Sequence, residues 1–405
     1  MKKDSPALLF ESFCVIGDAI WMSARDFNGL FKGSLKDGTI EFIGCFPGEH
    51  PLQRRLHYGE AVYKEEKIYF IPLNGSYVHV FNLRTSAFEK YEIEKKPGIG
   101  YAKAVLFNDA LYMISTRTTE LLRYDLKSNT CKMICISEDD ADYGYAHGIY
   151  TFGHDIFMMM SGKNVMRRFD MQEHRTEDYP VGEASQQYQI VAGKENLLYF
   201  VNKKESEIFT WDILLKREQK RTVVEHGITL NSWQLGNRVL GNALLGEGIT
   251  LLDIEQLKTS KLHMNGEDIP KETGVFEIQN AFTYAQDLYF VWEKDGAVYS
   301  LEQKEKVLQF LLTEDILQKV RTEVTCHMGK YKRDVFEEVD IFQLPDFLRY
   351  LDLCQQTGEY GRVASKKENG ETIFGRMSDE KSIGCLWNTT GSNKNVPSGA
   401  LPERK

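Results

Sequence analysis

From Leu8 to Leu312 the apolar residues fall in short runs of five to seven, alternating or unbroken, with Gly, Asn, Asp and Lys between them. The stretch AVYKEEKIYFIPLNGSYVHVFNLRTSAFEKYEI, beginning at Ala61, holds four such runs rich in β-branched and aromatic residues, the pattern of strands separated by turns. Near the end of one strand a hydrophobic pair flanks an acidic or amide residue. It reads VFNL at Asn82, RYDL at Asp125, RFDM at Asp170, TWDI at Asp212 and LLDI at Asp253, with spacings of 43, 45, 42 and 41. An upstream landmark, an apolar strand start after a polar turn, falls at Ile20, Ile68, Leu111, Ile156, Leu198, Val239 and Leu288, with steps of 48, 43, 45, 42, 41 and 49. Two landmarks that drift together define a repeat.

Four strands in about 43 residues is the period of a propeller blade, a twisted sheet that buries both faces against its neighbours. Paired-helix solenoids of similar period need helical spacing across the unit, which these runs lack. The pattern predicts an all-β fold, a seven-bladed β-propeller of four-stranded blades over 1–312. Blades are expected near 8–46, 59–93, 102–136, 146–181, 188–224, 231–264 and 278–312. After Leu312 the pattern turns helical. Thr313 reads as an N-cap followed by Glu314 and Asp315, and DVFEEVDIFQLPDFLRYLDLCQQ has apolar residues at helical spacing interrupted by Pro345. Two or three helices are expected over 313–357. Each blade is complete in chain order, so no strand exchange closes the ring, and the helices are expected to latch it. From 358 to 405 the chain is polar and rich in Ser, Asn, Gly and Lys, a composition expected to stay disordered.

The YDL-type strand ending and the IYF-type second strand resemble the broad kelch-like and WD-like propeller repeats. The chain departs from both: it has no Gly-Gly doublet after a hydrophobic strand, and one Trp-Asp pair, Trp211-Asp212, stands where WD repeats carry one per blade. The opening AIWMSARDFNGLFKGSLKDGTIEFIGCFPGE is also similar to propeller proteins of bacteria. The resemblance implies the fold and no activity.

Composition narrows the classes. No apolar run approaches the roughly 20 residues of a membrane helix, and MKKDSPALLFESF is too short and too polar for a signal peptide, which points to a cytoplasmic protein. Seven cysteines, scattered and odd in number, form no disulfide framework. Of these, Cys131 and Cys135 form the one close pair, without a matching His or Cys motif, so no metal site is expected. A net charge of −9 gives no overall attraction to nucleic acid. Nucleotide, P-loop, nucleophile-elbow and zinc-protease motifs are absent, and no cofactor is expected.

In a propeller the innermost strands line a central channel, and the loops entering them share a face with the loops between second and third strands. Counting back eight or nine residues from each upstream landmark puts Glu11, Glu60, Lys103, His147, Gln189, Asn231 (or Trp233) and Asn280 at the channel mouth. These are either solvated strand starts or a ring that fixes a polar ligand. Loop residues Arg25, Asn28, Asn74, Arg117, Lys163, Asn164, Lys203 and Lys204, with Arg54, Arg55 and His57 from the first linker, are expected to crown the same face and give it local positive potential. The leading functional reading is a non-catalytic binding module for a protein partner or a small anionic or sugar-like ligand. The rival is a hydrolase or lyase acting on a polar, carbohydrate-like substrate, with His147 as base, Glu60 orienting it and Lys103 stabilising an anion. A pure scaffold is the third.

Overall fold

The structure is a computed structural model that describes residues 9–328 apart from 95–98, 116–119, 137–145, 161–163, 184–187, 203–204, 244–248, 265–266, 269–277, 293–295 and 311–312. Seven four-stranded antiparallel blades follow one another in chain order, each built from consecutive strands, and form a β-propeller; the first sheet is extended by one short parallel strand. The first begins with the inner strand Phe10–Ile16 and the last ends with Glu305–Leu308.

Two kinds of turn make each blade, and both recur seven times. First and second strands meet in a two-residue hairpin whose leading residue has positive φ: Gly17, Glu65, Asn108, Gly153, Glu195, Gly236 and Ala285. Third and fourth strands meet in a longer turn with a left-handed residue at or next to its end: Gly38, Ser86, Asn129, His174, Lys216, Leu257 and Lys304. The acidic or amide residue of the repeat signature opens this second turn and caps it. Asp212 Oδ1 accepts the amide protons of Leu214 and Leu215, both at 2.9 Å, and Asn82, Asp125, Asp170 and Asp253 do the same for their own turns. In blades 1 and 7 the Ser34 and Ser300 hydroxyls take the place. The signature is therefore turn chemistry. Asp212→Ala is expected to cost about 1–2 kcal/mol, two modest hydrogen bonds, in urea denaturation.

Apolar layers fill the spaces between blades. Cys14, Trp21, Phe46, Phe70 and Phe81 pack between blades 1 and 2, and Tyr112, Ile114, Met158, Met160 and Phe169 between blades 3 and 4. The run Met158–Met160 is fully buried, as a core strand. Among the described residues, no strand is shared between blades 7 and 1. Tyr284 of blade 7 donates to Asp18 of blade 1 at 2.7 Å. The chain leaving blade 7 lays Phe310 against Phe10, with ring centroids 6.5 Å apart, and over Gly33, where a Cβ would meet its ring. Helix α1 (Glu314–Met328) then buries Val320 and Val324, and its Glu323 Oε1 accepts the Cys45 amide at 3.2 Å beside the outer strand of blade 1. It is capped by Thr313 as expected, and it straps blade 7's exit to blade 1. The remaining predicted helices and the polar tail lie outside the described residues.

The turns between first and second and between third and fourth strands all lie at one end of the propeller. The second-to-third loops and the blade connections lie at the other, which is the mouth.

Candidate functional site

Each residue expected at the mouth lies on an inner strand or the short strand leading into one. They do not face the same way. Six inner strands carry an irregularity near the start, between Phe10 and Ser12, Tyr101 and Lys103, His147 and Ile149, Ile190 and Ala192, Ile228 and Ser232, and Ile278 and Asn280. Glu11 is itself the extra residue of a bulge, Lys103 and Asn280 follow one, and His147 precedes one. Gln189 is buried, 1% exposed, and the Asn280 side chain turns back to accept the Ala281 amide at 2.8 Å. Trp233 packs into the apolar layer between blades 6 and 7. The side chains of His147 and Asn231, and residues Arg117, Lys163, Lys203 and Lys204, lie outside what the structure describes.

Glu60 and Lys103 are brought into electrostatic reach of one another. Glu60 sits on a two-residue strand (Gly59–Glu60) that pairs in parallel with the inner strand of blade 1. Lys103 donates from Nζ to the Ile149 carbonyl of blade 4 at 3.1 Å. Water reaches the Lys103 side chain, yet protein crowds around it. That enclosure pulls its pKa below the usual lysine value, and Glu60 offsets part of the effect.

A denser cluster stands where blades 1 and 2 meet the mouth. Arg55 donates from Nε to both oxygens of Glu11, at 2.8 and 3.0 Å, and Arg25 Nε lies 3.8 Å from the same carboxylate. Arg54 is paired with Asp26 at 3.0 Å. The acids are sunk, with 8% and 6% of their side chains exposed, while Arg55 is 45% exposed. Burial pushes the Glu11 carboxyl above the ordinary carboxylate range against the pull of Arg55 and Arg25, and Asp26 adds to the rise. The backbone fixes the arginines as well. Arg55 has φ of 53°, uncommon outside glycine, and is held there because its amide donates to the Arg25 carbonyl at 2.7 Å while its carbonyl accepts from Asn74 at 3.2 Å. Asn74 also donates from its side chain to the Arg54 carbonyl at 3.3 Å. Asn28 is interior: it donates to the Phe46 carbonyl at 2.9 Å and accepts the Phe46 amide at 2.8 Å, tying the blade 1 loop to the linker. Asn164, in blade 4, bonds the Glu183 carbonyl far along the chain.

Beneath the arginines runs a buried chain that sequence reading missed apart from His57. Ser23 Oγ bonds His57 Nδ1 at 2.9 Å, His57 Nε2 bonds His79 Nδ1 at 2.9 Å, and His79 Nε2 bonds the Pro47 carbonyl at 3.0 Å. A carbonyl only accepts, so His79 carries its proton on Nε2, His57 on Nε2, and Ser23 donates to His57. Phe46 lies against both imidazoles, with centroids at 4.4 and 5.1 Å. Burial drives both histidines toward the neutral form, His57 well below its ordinary pKa and His79 to about 4. The visible signal for His79 was a histidine inside the apolar strand YVHVFN.

No protein-family model and no curated protein matches this sequence. Likenesses are to solved structures. Virginiamycin B lyase from Staphylococcus aureus is 10% identical over 73% of this chain and 94% of its own, with a TM-score of 0.54. YCF48 bound to D1 peptide is 9% identical over 72% of this chain and 90% of its own, also at 0.54. The extracellular domain of the one component system BT4673 from B. thetaiotaomicron is 15% identical over 74% of this chain and 38% of its own, at 0.51. At these identities the likeness is one of fold, which is a seven-bladed β-propeller. Its structural neighbours include both a lyase and a protein bound to a peptide. Among the described residues, no helix is long and apolar enough to cross a membrane.

Proposed function

We propose that this chain is a binding propeller whose mouth, along the wall of blades 1 and 2, takes an anionic group, a carboxylate or phosphate carried by a protein segment or a small ligand. One observation carries the reading: Arg25, Arg54 and Arg55 are held by the buried acids Glu11 and Asp26 and by a left-handed backbone, so little freedom is lost on binding. Strained backbone that the surroundings over-determine is a pointer to a working site. A planar guanidinium fixed along one edge suits a bidentate anion. Glu60 and Lys103 extend the polar surface into the channel. The lyase-like reading has less support, since the hydroxyl in the hydrogen-bonded chain, Ser23, is 1% exposed and burial pushes the thiols of Cys14 and Cys45 up to about 12.

A thermal-shift panel of sugars, nucleotides, phosphorylated metabolites and acidic peptides tests this on the wild type and on an Arg25→Ala, Arg55→Ala double variant. Anionic members are expected to raise the melting temperature of the wild type alone. Shifts from neutral sugars only, or shifts shared by the double variant, contradict the assignment.

A further inference from the structure

We propose that blade 4 carries a divalent metal site of the zinc class, formed by His154 Nε2, Asp155 Oδ1 and Asp170 Oδ2, at the turn end of the propeller opposite the mouth. The repeat itself makes the cluster conspicuous. Asp170 is the turn-capping residue of blade 4, and the strand register sets Asp155 directly across from it. The residue facing the capping position elsewhere is Ala19, Lys67, Ala110, Leu197, Arg238 or Tyr289. Blade 4 opposes two carboxylates, an arrangement that destabilises a sheet unless a cation lies between them.

Arg168 supplies only part of that charge. It reaches Asp155 Oδ2 at 2.9 Å and Asp170 Oδ2 at 3.6 Å, and it is shared with Glu177 at 3.2 Å, which also holds Lys216. Three carboxylates thus face two cations. Asp155 Oδ1 is buried and has no hydrogen-bond partner among the described residues, in a side chain 11% exposed. Such an oxygen calls for an explanation. His154 Nε2 lies 4.0 Å from Asp155 Oδ1 and 3.4 Å from Asp170 Oδ2. All three donor atoms lie within 4.8 Å of one another. Two ligands of a tetrahedral ion with bonds of about 2.0 Å sit roughly 3.3 Å apart. A small swing of His154, 44% exposed on its hairpin, closes its own gap to Asp155 Oδ1, and an ion between the carboxylates draws the two aspartate oxygens toward it. The other oxygen of Asp170 is fixed by the Gln172 and Glu173 amides at 2.8 and 2.9 Å, which orients the ligand oxygen as an outer layer of bonds does at built metal sites. One imidazole with two carboxylates favours zinc-like ions over calcium or magnesium, which prefer oxygen throughout.

The experiment is titration of the full chain with Co2+, followed by its visible absorption, and with Zn2+ by calorimetry. Cys135→Ser serves as the background, because an exposed thiol also binds these ions. One equivalent is expected to bind, with bands free of thiolate charge transfer, and Zn2+ is expected to raise the melting temperature. Both His154→Ala and Asp155→Asn are expected to weaken binding at least tenfold, with the circular dichroism of the His154 variant unchanged. Absence of binding, or equal affinity in His154→Ala, overturns the site and leaves His154 as an imidazole lying beside two aspartates.

Discussion

Acidification from pH 7 to pH 4 is expected to strip at least about 3 kcal/mol from the stability of the propeller, most of it before pH 4.5. The cause is the buried chain under the arginines. His79 is held neutral with a pKa of about 4, and His57 is shifted in the same direction. In the unfolded chain both take up a proton near 6.5. Between those values the unfolded state binds more protons than the folded one, so stability falls as pH falls through the window. For His79 alone the difference is about 3 kcal/mol at pH 4. Lys90, the charged group that acts on His79, disfavours the cation further, against the pull of the Pro47 carbonyl. Asp125 and Glu177, both held near 2, lose their contribution only below their ordinary values. Glu11 runs the other way, because its raised pKa relieves a cost as pH falls, and trims the loss slightly. Urea midpoints at pH 7, 6, 5 and 4.5 measure the slope. His79→Gln should be weaker than wild type at pH 7 yet flatter across the series. A wild-type midpoint that does not move above pH 4.5 refutes the neutral-histidine chain.

The second large effect is expected at Gly148. It is the bulge residue of blade 4's inner strand, with φ of 71°, and a Cβ there would overlap the carbonyl oxygen of Ile190 in blade 5. The obstacle is backbone, which cannot swing aside as a side chain does. Just beyond, a Cβ at Gly193 would fall inside the Tyr150 ring, so the two inner strands depend on glycine from both sides. Left-handed strain and overpacking together put Gly148→Ala at about 3 kcal/mol or more. Gly153→Ala, with a similar φ of 61° but open space around it, supplies the comparison and should cost about 1 kcal/mol. Equal denaturation midpoints for the two variants would mean that the blades do not approach as closely as the structure has them.

Fold and site were legible to different depths for one reason. A blade must solve the same turn seven times, so Asp125, Asp170, Asp212 and Asp253 recur at the repeat spacing and can be read without coordinates. A site is built once. Ser23, His57 and His79 meet only because blade 2 folds against blade 1, and no spacing announces that. Counting a fixed distance back from each landmark ignored the bulges, so Gln189 and Trp233 turned into the structure while Lys103 stayed exposed. In blades 1 and 2 the loop residues Arg25, Arg54, Arg55 and Asn74 are joined by backbone and side-chain hydrogen bonds. What sequence could not supply was the pairing that fixes those arginines: Glu11 is expected at the channel mouth with nothing to tie it to Arg25 and Arg55, and Asp26 carries no signal at all. Likewise Asp155 and Asp170 become neighbours only through strand register.

The most direct test of the binding assignment is a calorimetric titration of an acidic phosphopeptide into wild type, Arg55→Ala and, as a distant charge control, Lys216→Ala, at 50 and 200 mM salt. The account predicts binding at low salt that weakens as salt rises, is reduced at least tenfold by Arg55→Ala and is unaffected by Lys216→Ala. Indistinguishable isotherms for wild type and Arg55→Ala would contradict it.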